Sequence, residues 1–269
     1  MPSRALEGAR ILLVEDNLIN QEVGKGLLEH AGARVAVAAN GQEAIDRLAD
    51  EAFDAVLMDM QMPVMDGLQA CREIRRDPRY ARLPIIAMTA GALPSDRRQT
   101  AEAGMNDHLT KPIDPAQLTA TLARWLARAP PPPPPQSSLE APPSAPQDPA
   151  AVLDVDHGLQ SVGGRADAYR RVLQLFVADI DSSRQRLRAA IAAADLMTLS
   201  RVAHHTKGAA AAIGAQALSA AALALEHASR QGDPQAFWEP VARLETAWMD
   251  ADHAARRHLA ACDAGGTHG

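Results

Sequence analysis

Aromatic residues are scarce in this chain: three Trp, two Tyr and three Phe make up 3% of its 269 residues, against an apolar share of 47%. There is enough apolar material for real cores, and the abundance of alanine favours close-packed helices over an aromatic-rich sheet sandwich. Cysteine is scarcer still. Cys71 and Cys262 lie far apart with no metal-ligand spacing, which argues against a disulfide framework and suits a reducing cytoplasm. Basic clusters are missing too. The net charge is −6 and no segment is strongly cationic, so nucleic acid is not expected as a partner. Long apolar runs are also lacking. The uncharged stretch 208–225 is mostly alanine and is interrupted by Gly214, Gln216 and Ser219. It falls short of the roughly 20 strongly apolar residues of a membrane span, so no membrane partner is expected. The first apolar run, Ile11 to Val14, meets Glu15 and Asp16 at once and does not read as a secretory leader.

What the chain does have is proline in one place. Residues 129–150 read APPPPPPQSSLEAPPSAPQDPA, which supports neither helix nor sheet because proline lacks the amide donor and fixes φ. This is a semi-rigid spacer of polyproline II character between two domains, 1–128 and 151–269. Before it, short apolar runs at Arg10–Val14, Arg34–Ala38, Ala55–Met58, Ile85–Met88 and His108–Thr110 alternate with helical patterns near 18–31, 41–50, 66–76, 95–103 and 114–128. That alternation predicts an α/β domain with a doubly wound, five-stranded parallel sheet. After the spacer only helical patterns occur, near 155–162, 167–194, 196–213, 215–230 and 234–259. Their short connections predict an all-α antiparallel bundle.

In a parallel sheet, chemistry gathers at the carboxyl ends of the strands. Glu15 and Asp16 follow the first strand, Asp59 the third, Thr89 the fourth and Lys111 the fifth. Three carboxylates brought together repel one another unless a cation is present. Oxygen ligands with open positions suit Mg²⁺, which keeps waters and binds phosphate oxygens. Lys111 and the Thr89 hydroxyl can each meet a phosphoryl oxygen, so the edge reads as a phosphoryl-transfer site.

These residues sit in ILLVEDNLINQEV, AVLMDMQMPVMDG, PIIAMTA and MNDHLTKPI, and in that order they resemble the response-regulator receiver domain over nearly all of residues 9–128. The resemblance implies a flavodoxin-like fold with strand order 2-1-3-4-5 and a phosphoacceptor at Asp59. It implies Mg²⁺ on the Asp16 and Asp59 side chains and the Gln61 carbonyl, with Glu15 acting through water. Thr89 and Lys111 become a phosphate-sensing pair, followed by a cis Lys111–Pro112 bond. One position departs from the family: the aromatic switch residue three places before the lysine is His108 here, which introduces a possible pH dependence.

The second site lies on LSRVAHHTKGAAAAIGA. At 100° per residue, Leu199, Val202, Thr206, Ala209 and Ile213 form a core stripe, while His204, Lys207, Gly208 and Ala211 share the opposite face. His204 is therefore expected in solvent. Lys207 is placed to offset phosphate charge, and Gly208 and Ala211 leave clearance for a docking partner. His205 points about 100° away, toward the flank of the bundle. AHHTKGAAAAIGA, with DVDHGLQSVGGRADAYRRVLQLF before it, resembles the histidine phosphotransfer (HPt) domain over about 154–259. That resemblance implies a four-helix bundle with His204, three residues before the lysine, as the phosphorylated histidine. Thr206 replaces the usual leucine. Its hydroxyl is expected to bond back to the preceding turn, and a leucine there is expected to fit and to stabilise the core.

Together the two resemblances imply a phosphorelay protein. A sensor histidine kinase charges Asp59, and His204 exchanges the phosphoryl group with a response-regulator receiver, in the cytoplasm. An aspartyl-phosphate phosphatase with Asp59 as nucleophile is disfavoured, because the general acid expected two residues on is Gln61, and an amide supplies no proton. A complete hybrid kinase is disfavoured by the absence of glycine-rich ATP-binding segments, although the chain can be the C-terminal part of one.

Overall fold

In a computed structural model, residues 5–89, 94–127, 152–231 and 237–265 are described. The proline-rich spacer expected at 129–150 lies outside them. Five strands, β1 (Arg10–Val14), β2 (Arg34–Ala38), β3 (Ala55–Asp59), β4 (Ile85–Thr89) and β5 (Asp107–Thr110), form one sheet in the order β2-β1-β3-β4-β5. Every pairing is parallel. Strands β3 and β4 are buried on both faces, which is why their sequences are unbroken apolar runs. Both run one residue further than their apolar pattern, taking in Asp59 and Thr89, because these side chains stay buried at the sheet edge.

Period-2 alternation divides the sheet between two cores. Ile11, Leu13, Leu57, Ile86 and Met88 face α1 (Leu18–His30) and α5 (Pro115–Leu126). Leu12, Val14, Val56, Met58, Ile85 and Ala87 face α2 (Gly41–Asp50) and α3 (Gly67–Arg76). Helix α4 (Pro94–Glu102) precedes β5. Asn17, Asp66 and Asp114 cap the N-termini of α1, α3 and α5 through their side chains, supplying acceptors for amides that have no partner within the helix. Gly67 is needed where it stands: a Cβ there would lie 2.2 Å from the Asp59 carbonyl oxygen. Cys71 is buried and Cys262 exposed, and both are free thiols.

The second domain is helical, with α6 (Val155–Ser161), α7 (Ala166–Ala192), α8 (Leu196–Ile213), α9 (Gln216–Gln231) and α10 (Trp238–Gly265). Helices α7 to α10 pack in sequence and α10 closes onto α7, while α6 lies across α7 and α8. Gly214 ends α8 at φ +80°, and a Cβ there would meet the Asp154 carbonyl oxygen at 2.0 Å. Among the described residues no helix is long and apolar enough to cross a membrane.

The core stripe of α8 is as expected, with Leu199, Val202, Thr206, Ala209 and Ile213 all buried. The Thr206 hydroxyl donates to the Val202 carbonyl at 2.8 Å. The space beside it differs from expectation, being a void of only about 10 Å³ bounded by Ile19, Phe176 and Trp248 among others. Thr206→Val, which keeps the shape, is expected to raise stability by about 0.5–1 kcal/mol through added apolar burial. Thr206→Leu is expected instead to cost about 1–3 kcal/mol by overpacking. Thermal denaturation of the two variants, with melting temperatures shifting in opposite directions, checks this.

Candidate functional site

Strand ends place the acidic residues as the sequence suggested. Glu15 and Asp16 follow β1 and Asp59 ends β3, and one carboxylate oxygen of each lies within 4.8 Å of the others. Lys111, after β5 and before a cis Lys111–Pro112 bond, reaches across to both sides of this group. Its Nζ donates to Glu15 Oε2 at 2.5 Å and to Asp59 Oδ2 at 2.7 Å. Burial by itself would lower the lysine pKa, but Asp59 and Glu15 more than offset that, so the ammonium is held more firmly charged than usual. Glu15 moves the other way for a carboxyl. Burial, aided by the charge of Asp59 and opposed by Lys111, pushes its pKa up to about 7. The common cause is two buried carboxylates, Glu15 and Asp59, sharing one ammonium.

The remaining positions complete the edge. Gln61 N–H donates to Asp59 Oδ1 at 3.3 Å. Thr89 is buried, its hydroxyl making a long 3.5 Å contact to the Leu109 carbonyl. His108 is half-buried on β5, and burial followed by the charge of Arg97 lowers its pKa. That direction keeps the ring neutral near pH 7 and weakens the pH dependence raised by the sequence.

The second site departs from expectation in its surroundings. His204 is not in solvent: it is 9% exposed. Its Nδ1–H donates to Glu226 Oε1 on α9 at 3.1 Å. Lys207 donates to Glu226 Oε2 at 2.5 Å, and Arg230 to Oε1 at 2.6 Å. The cation expected to await phosphate is therefore already paired. Burial would raise the Glu226 pKa, but the bonds from His204 and Lys207 win and pull it down to about 2. A carboxylate accepts only, so Nδ1 carries the proton and Nε2 is left as the basic nitrogen.

Glu226 was missed by sequence reasoning. It could have been found, because it is a carboxylate on the apolar stripe of Leu218, Ala222 and Leu225, where a charge needs a partner. Its depressed pKa has a pH consequence. The folded value of about 2 lies below the ordinary 4.5. Glu226 therefore adds stability that is fully present above pH 4.5 and is lost as pH falls through about 2. Glu226→Gln is expected to cost on the order of 2 kcal/mol at pH 7. The gap to the native chain should shrink steadily in melts taken from pH 5 downward, and a pH-independent gap would contradict the charge assignment.

The docking face was also outside sequence reasoning. Helix α1 of the first domain packs against α7 and α8 of the second. Asn17 Nδ2 donates to the His205 carbonyl at 3.1 Å, and Arg171 pairs with Glu22 at 2.8 Å. His205 Nε2 meets Asp16 Oδ2 at 2.5 Å rather than pointing along the flank of the bundle. The clearance expected at Gly208 is taken by Asn20, whose Nδ2 would lie 2.9 Å from a Cβ there; Ala211 is half-buried on the same helix. Asp16, Gln61, His204 and His205 line one cleft of about 370 Å³ between the domains.

Comparison with known proteins agrees with this architecture. Residues 11–123 match the response regulator receiver domain and residues 171–254 the Hpt domain. The sensor histidine kinase GacS of Pseudomonas protegens is 36% identical over 231 residues, which is 85% of this chain and 25% of that protein. The signal transduction histidine-protein kinase BarA of Escherichia coli is 29% identical over 233 residues, 86% of this chain and 25% of that one. The chain thus spans about a quarter of the length of these curated relatives. Among solved structures, the receiver domain of a Pseudomonas aeruginosa sensor histidine kinase, crystallised with a magnesium ion in its active-site cleft, is 47% identical. That match covers 44% of this chain and 98% of the domain, with a TM-score of 0.42. The chain belongs to the response-regulator receiver family in its N-terminal part and to the histidine phosphotransfer family in its C-terminal part.

Proposed function

We propose that this chain is a phosphorelay module in which Asp59 and His204 carry the phosphoryl group in turn. The observation that carries the reading is the shared cleft, with Asp16 and Gln61 on one wall and the His204 imidazole on the other, and with a carboxylate oxygen of Asp59 within 4.8 Å of one of Asp16. A sensor kinase phosphohistidine supplies the group: an Asp59 carboxylate oxygen bonds to phosphorus as the P–N bond breaks. In the next transfer His204 Nε2 attacks phosphorus, and the Asp59 carboxylate leaves with the electron pair of the broken P–O bond. The ring then carries a positive charge with its proton still on Nδ1, and the Glu226 carboxylate beside it offsets that charge. A downstream response-regulator receiver takes the group from His204. Domains 1–128 and 151–269, joined by the 129–150 spacer, do this in the cytoplasm without using ATP.

A divalent cation fits the acidic edge. Asp16 Oδ1 is buried with no hydrogen-bond partner among the described residues, and the trio offers oxygen donors at suitable spacing. Glu15, Asp16, Asp59 and the Gln61 carbonyl would hold Mg²⁺, which would supply charge neutralisation for the incoming phosphate. The span of about a quarter of the relatives favours a second, compatible reading: this module as the C-terminal portion of a hybrid sensor kinase.

A labelled small acyl-phosphate donor tests the proposal. With Mg²⁺, the chain should gain both a base-labile acyl phosphate and an acid-labile phosphoramidate. Chelator should prevent both, and so should Asp59→Asn. Undiminished label in Asp59→Asn would sink the assignment.

A further inference from the structure

We propose that His205 holds the Asp16 carboxylate in place for the cation, so that docking of the bundle and divalent-cation binding strengthen each other. The inference rests on reading the acidic edge as a cation site, and it assigns a role to the histidine that does not carry phosphate.

His205 is gripped twice by the first domain. Asn17 takes its carbonyl at 3.1 Å, and Asp16 Oδ2 takes its ring Nε2 at 2.5 Å. Asp16 is thereby divided between its two oxygens. Oδ2 is engaged by the second domain, while Oδ1 is buried without a partner among the described residues. A buried carboxylate oxygen in that condition is costly unless something meets it. Since a carboxylate only accepts, the bond places a proton on Nε2. The bond fixes the carboxylate rotamer. Lys111 plays the matching part for Glu15 and Asp59. Hydrogen bonds of this kind to a metal-ligating group orient it, and their loss typically weakens metal binding by tenfold or more. The two neighbouring histidines thus engage opposite nitrogens, His204 through Nδ1 and His205 through Nε2. One keeps a nucleophile free and the other ties the domains.

Because His205 reaches Asp16 only when α1 sits on α7 and α8, coupling is reciprocal: whatever docking adds to cation affinity, the cation adds to docking. Calorimetric titration of Mg²⁺ into the full chain reads this without any phosphate chemistry. His205→Ala should weaken Mg²⁺ about tenfold. Arg171→Glu, which sets two carboxylates against each other at the exposed Arg171–Glu22 contact, should weaken it about threefold or more through docking alone. Adding Glu22→Arg to Arg171→Glu should restore native affinity. Unchanged or tighter Mg²⁺ binding in either single variant overturns the coupling while leaving the cation site standing. A native chain that binds no Mg²⁺ overturns the site itself.

Discussion

In the full chain at saturating Mg²⁺, His204→Gln is expected to remove all acid-labile, base-stable phosphate, while His205→Gln keeps most of it. The difference follows from what each ring is already doing. His204 has its Nδ1 proton committed to Glu226, which leaves the lone pair on Nε2, and the residue lines the cleft shared with Asp16 and Gln61. His205 has its Nε2 committed to Asp16 and cannot attack through it without giving up the interdomain bond. Transfer also needs near-attack contact of about 3–3.5 Å with phosphorus in line, and the ring that is pre-oriented loses least on reaching it. The measurement is label retained after acid and after base in the native chain and both variants. Phosphoramidate surviving in His204→Gln, or vanishing in His205→Gln alone, reverses the assignment.

Lys111→Met should produce the largest change in stability without metal, and Mg²⁺ should recover much of it. Lys111 donates to two carboxylates whose side chains are about 2–3% exposed. Removing one partner of a buried pair leaves an uncompensated charge and costs about 3–5 kcal/mol. Asp59 is left uncompensated next to Asp16, and Glu15 joins it as a charge above about pH 7, where it ionises. In a domain of this size each kcal/mol shifts the melting temperature by roughly 4 °C, so a drop of about 10 °C or more is expected in chelator. A divalent cation replaces the missing positive charge, so adding Mg²⁺ should raise the variant's melting temperature more than the native chain's. Melting within a degree or two of native in chelator, or no extra response to Mg²⁺, contradicts this electrostatic account.

Much of the two sites was legible from sequence because their positions follow from local rules. Short runs leading to Glu15, Asp16, Asp59, Thr89 and Lys111 form parallel strands, and parallel strands bring their carboxyl ends to one edge. Helical phase likewise separated Val202, Thr206 and Ile213 from His204, and those three are core residues in the fold. The cis bond and the strand order came with the family resemblance rather than from the residues themselves.

Periodicity fails where a residue's environment comes from a distant element. The phase of α8 correctly turned His204 away from its own core stripe, but it could not show that Glu226, 22 positions later, would meet the ring. Nor could it show that Lys207 would spend its charge on that same carboxylate. His205 looked like a flank residue because a single helix has no knowledge of a second domain. Its partner Asp16 lies 189 positions away, across a spacer that carries no pairing information. By itself, then, the sequence determined which side chains end the strands and which face of α8 is apolar, because both follow from repeats of 2 and 3.6 residues along the chain. Only the tertiary structure decided which nitrogen of each histidine is engaged, because that depends on charges and hydrogen-bond acceptors delivered through space by α9 and by the edge of the other domain.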